Sequence, residues 1–389
     1  MKKILHISNK NVFIKYALNS FENVYPAQNK LWMFSSRCDA KKLNEEGVSS
    51  ITFISTFNPF TLKSLKSYDL IIIHGFDVFK YPLIALAPAG VKFAWLGWGY
   101  DYYDYIYANP DDLLLADTLA LNNKCSQQSF KQSIHPVNLL KKIAKKIVEL
   151  GFREKALKRI CTISPVLKED YDLLKSAELL KPLPDFVPWN YGSLEEALIK
   201  NFIGQRVSGN KVLVGNSASF TNNHLEVFDL LQEVAKSTEA HLQVIAPLSY
   251  GDACFKQAVI EKGKACFVDR FQPLTDFMPI DDYVALIKQC GFVVMNHKRQ
   301  QAVGNIVIML YLGARVFLRE ENPTYQMLKG EGAVVNTLDE LKAQPGLLKT
   351  PLTENEVTQN IKVLYKHWSK AVIDQKTKSL VEFHLGALD

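Results

Sequence analysis

With 389 residues, 48% of them hydrophobic and 22% charged, the chain has the make-up of a soluble globular protein too long for one ordinary core, and two domains are expected. A net charge of +6, with no low-complexity tract and no fixed-period repeat, excludes a disordered, fibrous or solenoid protein.

The first stretch, MKKILHISNKNVF, opens with two lysines but has only a short apolar run, and reads as a first strand rather than a signal peptide. LWMFSS, ITFIS, LIIIHG and KFAWLGWG follow as further strands. Such continuous apolar runs suit parallel strands buried on both faces, and the connections are long enough for crossovers. The first half is therefore expected to be a doubly wound α/β domain. The most apolar stretch, YPLIALAPAGV, spans 11 residues, too few to cross a bilayer. A soluble, cytoplasmic protein is the expectation.

Residues 139–159, LLKKIAKKIVELGFREKALKR, hold eight Lys or Arg and two Glu, a local charge as large as that of the whole chain. Leu140, Ile143, Ala144, Ile147 and Val148 recur at helical spacing, and Gly151 is expected to interrupt the helix. Two readings stay open. The stripe can pack on the core and leave a solvated basic face. Alternatively, the helix is a basic amphipathic patch, with Lys141, Lys142, Lys145 and Lys146, that rests on anionic lipid. Nucleic acid is disfavoured, because no interleaved aromatic residues accompany the charge.

CTIS is one more strand, and KPLPDFVPWNYGS, with three prolines, suits a link between domains. Alternation then resumes with NKVLVGNSAS, HLQVIAPLSYG, ACFVDRF, GFVVMN, ARVFLRE and AVVNTL as strands. The expected layout is one domain over 1–190, a second over 191–355, and a helical tail over 356–389 that packs back across both. Six scattered cysteines without a CxxC pair are expected to be reduced, structural thiols.

Ligands of open parallel sheets bind beyond the carboxyl ends of the strands. In the second half that rule selects Gly215-Asn216-Ser217, the PLSYG segment with Tyr250, the NHKRQQAVGN segment, and REENP. Free N–H groups after VLVGNS suit a phosphate, before a helix that Thr221 or Asn222 can cap. Arg299 can grip phosphate oxygens with two prongs, Gln300 and Gln301 can donate and accept, Gly304, with Asn305 after it, lets a backbone come close, and a helix starting near Ala302 points its positive end the same way. Glu321 can accept both ribose hydroxyls, just before a helix capped by Asn322 with Pro323 at its first position. In the first half the rule selects Trp98 and Asp101 of GWGYD, and His74. An aspartate there can act as a base, and an aromatic face suits a sugar ring. No GxGxxG follows a strand and no Walker motif occurs, which disfavours dinucleotide and P-loop chemistry. Two facing Rossmann-like domains with a central cleft, the GT-B architecture, remain.

In its second half the chain resembles glycosyltransferase family 56, the bacterial 4-acetamido-4,6-dideoxygalactose (Fuc4NAc) transferases of enterobacterial common antigen synthesis. The matching pieces are LVGNS…TNNH, APLSYG, DDYVALIKQCGFVVMNHKRQQAVGN and ENPTYQM, with weaker similarity at IIIHG and WLGWGYDYY. The chain departs from the family at Glu320, where an Arg is expected; its own Arg stands one place earlier, at 319. The resemblance implies a metal-independent enzyme that moves a deoxyamino sugar from a dTDP-sugar, or another nucleotide-sugar, to a lipid-diphosphate-linked saccharide on the inner face of the plasma membrane. Arg299, Gln300 and the Gly215-Asn216-Ser217 turn would hold the diphosphate, Glu321 the ribose, and Tyr250 the base or diphosphate. Asp101, then His74, would be the general base. The first domain would take the acceptor, and the basic helix would lie near anionic lipid. A sugar-nucleotide epimerase or hydrolase of the same fold, or a non-catalytic partner subunit, are the alternatives.

Overall fold

The computed structural model describes residues 2–11, 13–35, 49–132 and 136–386, with backbone alone at 128–132, 136–139 and 141. The chain divides into two compact units. One is built from residues 1–108, 133–193 and 368–389, the other from 109–132 and 194–367.

The first unit holds a seven-stranded parallel sheet of β1 (Ile4–Asn9), β2 (Asn29–Phe34), β3 (Ser49–Ile51), β4 (Leu70–His74), β5 (Phe93–Leu96), β6 (Ile160–Ser164) and β7 (Asp185–Phe186), in the order β3-β2-β1-β4-β5-β6-β7. β4 and β5 are buried along their whole length, as continuous apolar runs demand. Chain order reverses between β1 and β4, the switch point where α/β sheets bind ligands. The core of Ile14, Phe21, Ile72, Leu96 and Trp189 is completed by Leu380 and Val381 of the helix Lys370–Leu385.

The second unit holds a six-stranded parallel sheet of β8 (Val212–Val214), β9 (Val244–Pro247), β10 (Phe271–Leu274), β11 (Phe292–Met295), β12 (Arg315–Leu318) and β13 (Asn336–Thr337), ordered β10-β9-β8-β11-β12-β13. Its switch point lies between β8 and β11. The helix Ala116–Gln132 belongs to this unit. It is tied there by Thr118, whose N–H and hydroxyl donate to Glu226 at 2.9 and 2.7 Å.

Several expectations are corrected. ACFVDRF is not a strand: the helix Ala253–Phe267 runs to Phe267 and β10 begins at Phe271. Gly151 does not break the helix Pro136–Leu157, because one glycine costs only about 1 kcal/mol in a helix of 22 residues. Cys125 and Cys254 are not free thiols but form a disulfide between residues 129 apart in sequence, a proximity that spacing alone does not reveal. Cys161, Cys266 and Cys290 are free. No helix among the described residues is long and apolar enough to cross a membrane.

Candidate functional site

In the second unit the chain ends of β8, β9 and β11 are knitted together by side-chain amides. Gly215 leaves β8 with φ of +65°, and a Cβ there would lie 2.5 Å from His224 Nε2, so glycine is required by both backbone and space. The Asn216 N–H donates to Asn222 Oδ1 at 2.9 Å, and the Asn216 amide donates to the Tyr250 hydroxyl beyond β9 at 2.9 Å. Gln301 completes the join: its amide donates to Asn216 Oδ1 at 2.9 Å and its oxygen accepts from the Thr221 hydroxyl at 2.7 Å. Ser217 accepts from Asn222 at 3.1 Å and donates to Ser219 at 3.1 Å. Gly251, after Tyr250, sits so close to the Ala218 backbone that a Cβ would meet it at 2.3 Å.

The segment after β11 is mostly inward-facing. His297 is buried, with Nε2 hydrogen-bonded to Asn222 Oδ1 at 2.8 Å; burial, then the charge of Arg299, hold its pKa well below the usual value. Lys298 donates to the carbonyls of Asp112 and Leu114 at 2.9 and 3.3 Å, so it clamps the 109–132 segment. Arg299 donates to the Gln300 carbonyl at 3.1 Å, and its charge also acts on Tyr250, whose pKa burial raises. Gln300 is buried. Ala302 takes φ of +61° just before the helix Val303–Tyr311, whose first N–H groups carry the positive end of the dipole. Gly304 lies inside that helix, and a Cβ there would meet only Leu198 at 3.8 Å, so nothing in the protein demands glycine. Asn305 donates to the Tyr283 hydroxyl at 3.2 Å.

After β12, Asn322 caps the helix Pro323–Gly330 by accepting from the Thr324 N–H at 2.8 Å, and its amide donates to the carbonyls of His297 and Arg299, both at 2.8 Å. The cap thus also fixes the Arg299 backbone. Glu321 is paired with Arg319 at 2.6 Å, and Arg319 in turn donates to Asn296 at 3.2 Å.

The expected capping by Thr221 or Asn222 is replaced by another arrangement. A turn of 3-10 helix, Phe220–Asn222, precedes the helix His224–Thr238, and Asn223 stands at its N-cap with φ of +50° and no side-chain cap bond. Asn223 instead accepts from the Leu115 N–H at 2.9 Å and donates to the Leu113 and Asn296 carbonyls at 3.2 and 3.1 Å. Residue spacing gave no signal for it, beyond the TNN triplet.

In the first unit, Asp101 is buried and its carboxylate accepts three hydrogen bonds: from Phe76 N–H at 2.9 Å, Trp95 Nε1–H at 2.6 Å and Trp98 N–H at 2.8 Å. Burial raises its pKa, and the three donors oppose the rise. His74 is buried at the end of β4 between His6 Nδ1, 2.9 Å from its Nε2, and the Tyr191 hydroxyl, 2.8 Å from its Nδ1. Burial pulls His6 down to about 4 and His74 well below its ordinary range, so both rings are neutral. Trp98 packs edge-on against Tyr191 and Tyr100. Sequence reasoning passed over Lys80, a fully buried lysine that pairs with Asp77 and thereby escapes an uncompensated charge; Asn9 also donates to Asp77, at 2.7 Å. Lys142, Lys145 and Lys146 are exposed on the helix Pro136–Leu157, and the side chain of Lys141 lies outside the described residues.

Comparison with known proteins bears on the fold and the class of enzyme. Residues 194–346 match the family described as 4-alpha-L-fucosyltransferase, glycosyl transferase group 56. Among solved structures, Anabaena HepE in complex with UDP and glucose is similar with a TM-score of 0.61 at 11% identity, over 98% of this chain and 100% of that one. Sucrose-phosphate synthase from Thermosynechococcus elongatus is similar with a TM-score of 0.63 at 9% identity, over 99% of each chain. A glycosyltransferase from Rickettsia africae gives 0.61 at 12% identity, over 99% and 98%. At these identities the structures speak for the fold, which is GT-B. With the group 56 match spanning the strand ends just described, the chain is a glycosyltransferase of the hexosyltransferase class.

Proposed function

We propose that the enzyme transfers a deoxyamino sugar of the Fuc4NAc type from a nucleotide-sugar, dTDP-linked in the closest reading, to a lipid-diphosphate-linked saccharide of bacterial surface polysaccharide synthesis. The observation that carries the donor half is the Gln301 network, which gathers Asn216, Thr221 and Tyr250 at the switch point of the second unit beside Arg299 and a helix N-terminus. The UDP and UDP-glucose in the HepE structures support a nucleotide-sugar as the donor. Arg299, Gln300 and the Gly215-Asn216-Ser217 turn hold the diphosphate in this reading. As the glycosidic bond to the diphosphate breaks, negative charge grows on the leaving oxygen, and a guanidinium aided by a helix dipole neutralises it without calling on a metal. Glu321, with Arg319 beside it, faces the ribose, and Tyr250 the base or diphosphate. The first unit takes the acceptor, with Asp101 and His74 as candidates for receiving its hydroxyl proton and Trp98 as an aromatic face for a sugar ring. Lys142, Lys145 and Lys146 supply the charge that keeps the enzyme on an anionic inner membrane face.

A thermal-shift panel of dTDP, UDP and GDP tests the donor half. dTDP is expected to stabilise most, and Arg299→Ala is expected to keep the fold while abolishing both the shift and transfer. Wild-type rates in an Arg299→Ala protein that melts normally would remove the diphosphate assignment.

A further inference from the structure

The apolar stripe of the basic helix points the wrong way for a core helix. Leu140, Ile143, Ile147 and Leu150 of Pro136–Leu157 are 64%, 46%, 64% and 74% exposed. At about 100° per residue they fill one arc of about 80°. Ala156, fully buried, and Phe152, which packs on Phe57 with ring centroids 5.7 Å apart, fall on the opposite side of the same helix. From Leu140 to Leu150 the helix therefore holds its most apolar arc outward, whereas at its end Leu157, about 20° from Leu150 in projection, is buried against the unit. Lys142, Lys145 and Lys146 are exposed and lie off that arc, and no Asp or Glu occurs between 136 and 148.

We infer that this helix is an interfacial anchor that enters an anionic bilayer stripe first, with Leu140, Ile143, Ile147 and Leu150 among the acyl chains and Lys142 and Lys146, on the side nearer the stripe, at the phosphates. Apolar side chains that leave water gain most when a polar, cationic face stays at headgroup depth, the composition found here. The charge favours lipid over a second copy of the chain: stripe-to-stripe pairing would bring two sets of lysines together, whereas anionic headgroups answer them. The inference deepens the reading of a lipid-linked acceptor and rests on it for its purpose, but it goes beyond charge alone. The stripe inserts, and binding is not merely electrostatic.

The test is co-sedimentation of the full chain with vesicles of phosphatidylcholine mixed with phosphatidylglycerol, and of phosphatidylcholine alone, at low and high salt. Ile147→Gln with Leu150→Gln is expected to lower partition into the mixed vesicles at least tenfold, about 1.4 kcal/mol, at both salt levels. Lys142→Gln with Lys146→Gln is expected to weaken it at low salt only. Nucleotide binding is expected to be unchanged in both, since none of the four positions lies in the donor site. Loss of nucleotide binding by the wild type would count against the transferase reading alone. Wild-type protein that stays in the supernatant, or a stripe variant that sediments like wild type, would overturn the anchor. So would light scattering that shows the stripe variant splitting a dimer, which would give the surface to a second copy.

Discussion

Gln301 donates to Asn216 across 2.9 Å although 85 residues separate them, and with its other atom it holds Thr221. One side chain thus fixes the relative positions of the loops after β8 and β11, and through Asn216 reaches Tyr250 after β9.

Gln301→Ala is expected to lower stability by about 1–3 kcal/mol, the scale of two internal hydrogen bonds, and to weaken nucleoside diphosphate binding as the joined loops loosen. Gln301→Glu is expected to be worse, because it sets a carboxylate oxygen against Asn216 Oδ1 and adds negative charge beside the diphosphate. Isothermal titration measures both; a Glu variant that binds as tightly as wild type would remove Gln301 from the site.

Asp101→Asn carries a structural cost separable from any role in proton transfer. The carboxylate faces three N–H donors on two oxygens, whereas an asparagine offers one oxygen and an NH2 group. Whichever way it turns, at least one buried donor meets another donor. A loss of about 1–3 kcal/mol is expected, read as a lower urea midpoint. If the variant unfolds at the wild-type midpoint, the carboxylate is not what positions this loop.

The buried histidines make the second unit sensitive to acid. Burial lowers His224 to about 3 and His297 well below its ordinary value, whereas in an unfolded chain both bind a proton near 6.5. The unfolded state therefore takes up more protons below about 6.5, and stability is lost as pH falls from there toward about 3. In the first unit Asp170, raised by burial to about 6, works in the opposite direction and offsets part of the loss from His6 and His74. Protection against amide exchange, corrected for the intrinsic slowing of exchange in acid, is thus expected to fall in β8 and β11 before it falls in β4 as the pH is lowered. The reverse order would contradict the assignment of neutral, buried His224 and His297.

Most strands of both sheets were legible because a buried parallel strand is a short apolar run, as when LIIIH became β4 and FVVM became β11, but β7 (Asp185–Phe186) inside the proline-rich link and β10 (Phe271–Leu274), with a Gln and a Pro, were not. The candidate donor residues were legible by the rule of strand ends, since a doubly wound sheet exposes only those positions to a ligand. What stayed hidden depended on distance in sequence or on direction. Asn223 matters through a left-handed backbone and bonds to Leu113 and Asn296, and no local pattern reports such contacts. Cys125 and Cys254 meet only once the helix Ala116–Gln132 packs in the second unit. The stripe from Leu140 to Leu150 was visible as periodicity, but periodicity names a face without saying whether protein covers it.

The first unit takes residues 1–108 and 133–193 and then waits for 368–389. Leu380 and Val381 close a core begun by Ile4 and Ile14, and Thr377 accepts from Trp189 Nε1–H at 2.9 Å. On the ribosome, residues through Val381 must emerge before the core of the first unit can close. Until then the apolar side chains of β1, β2 and β4 are open to water. The strands made first are therefore among the last whose core is closed, the setting in which exposed strands depend on chaperones.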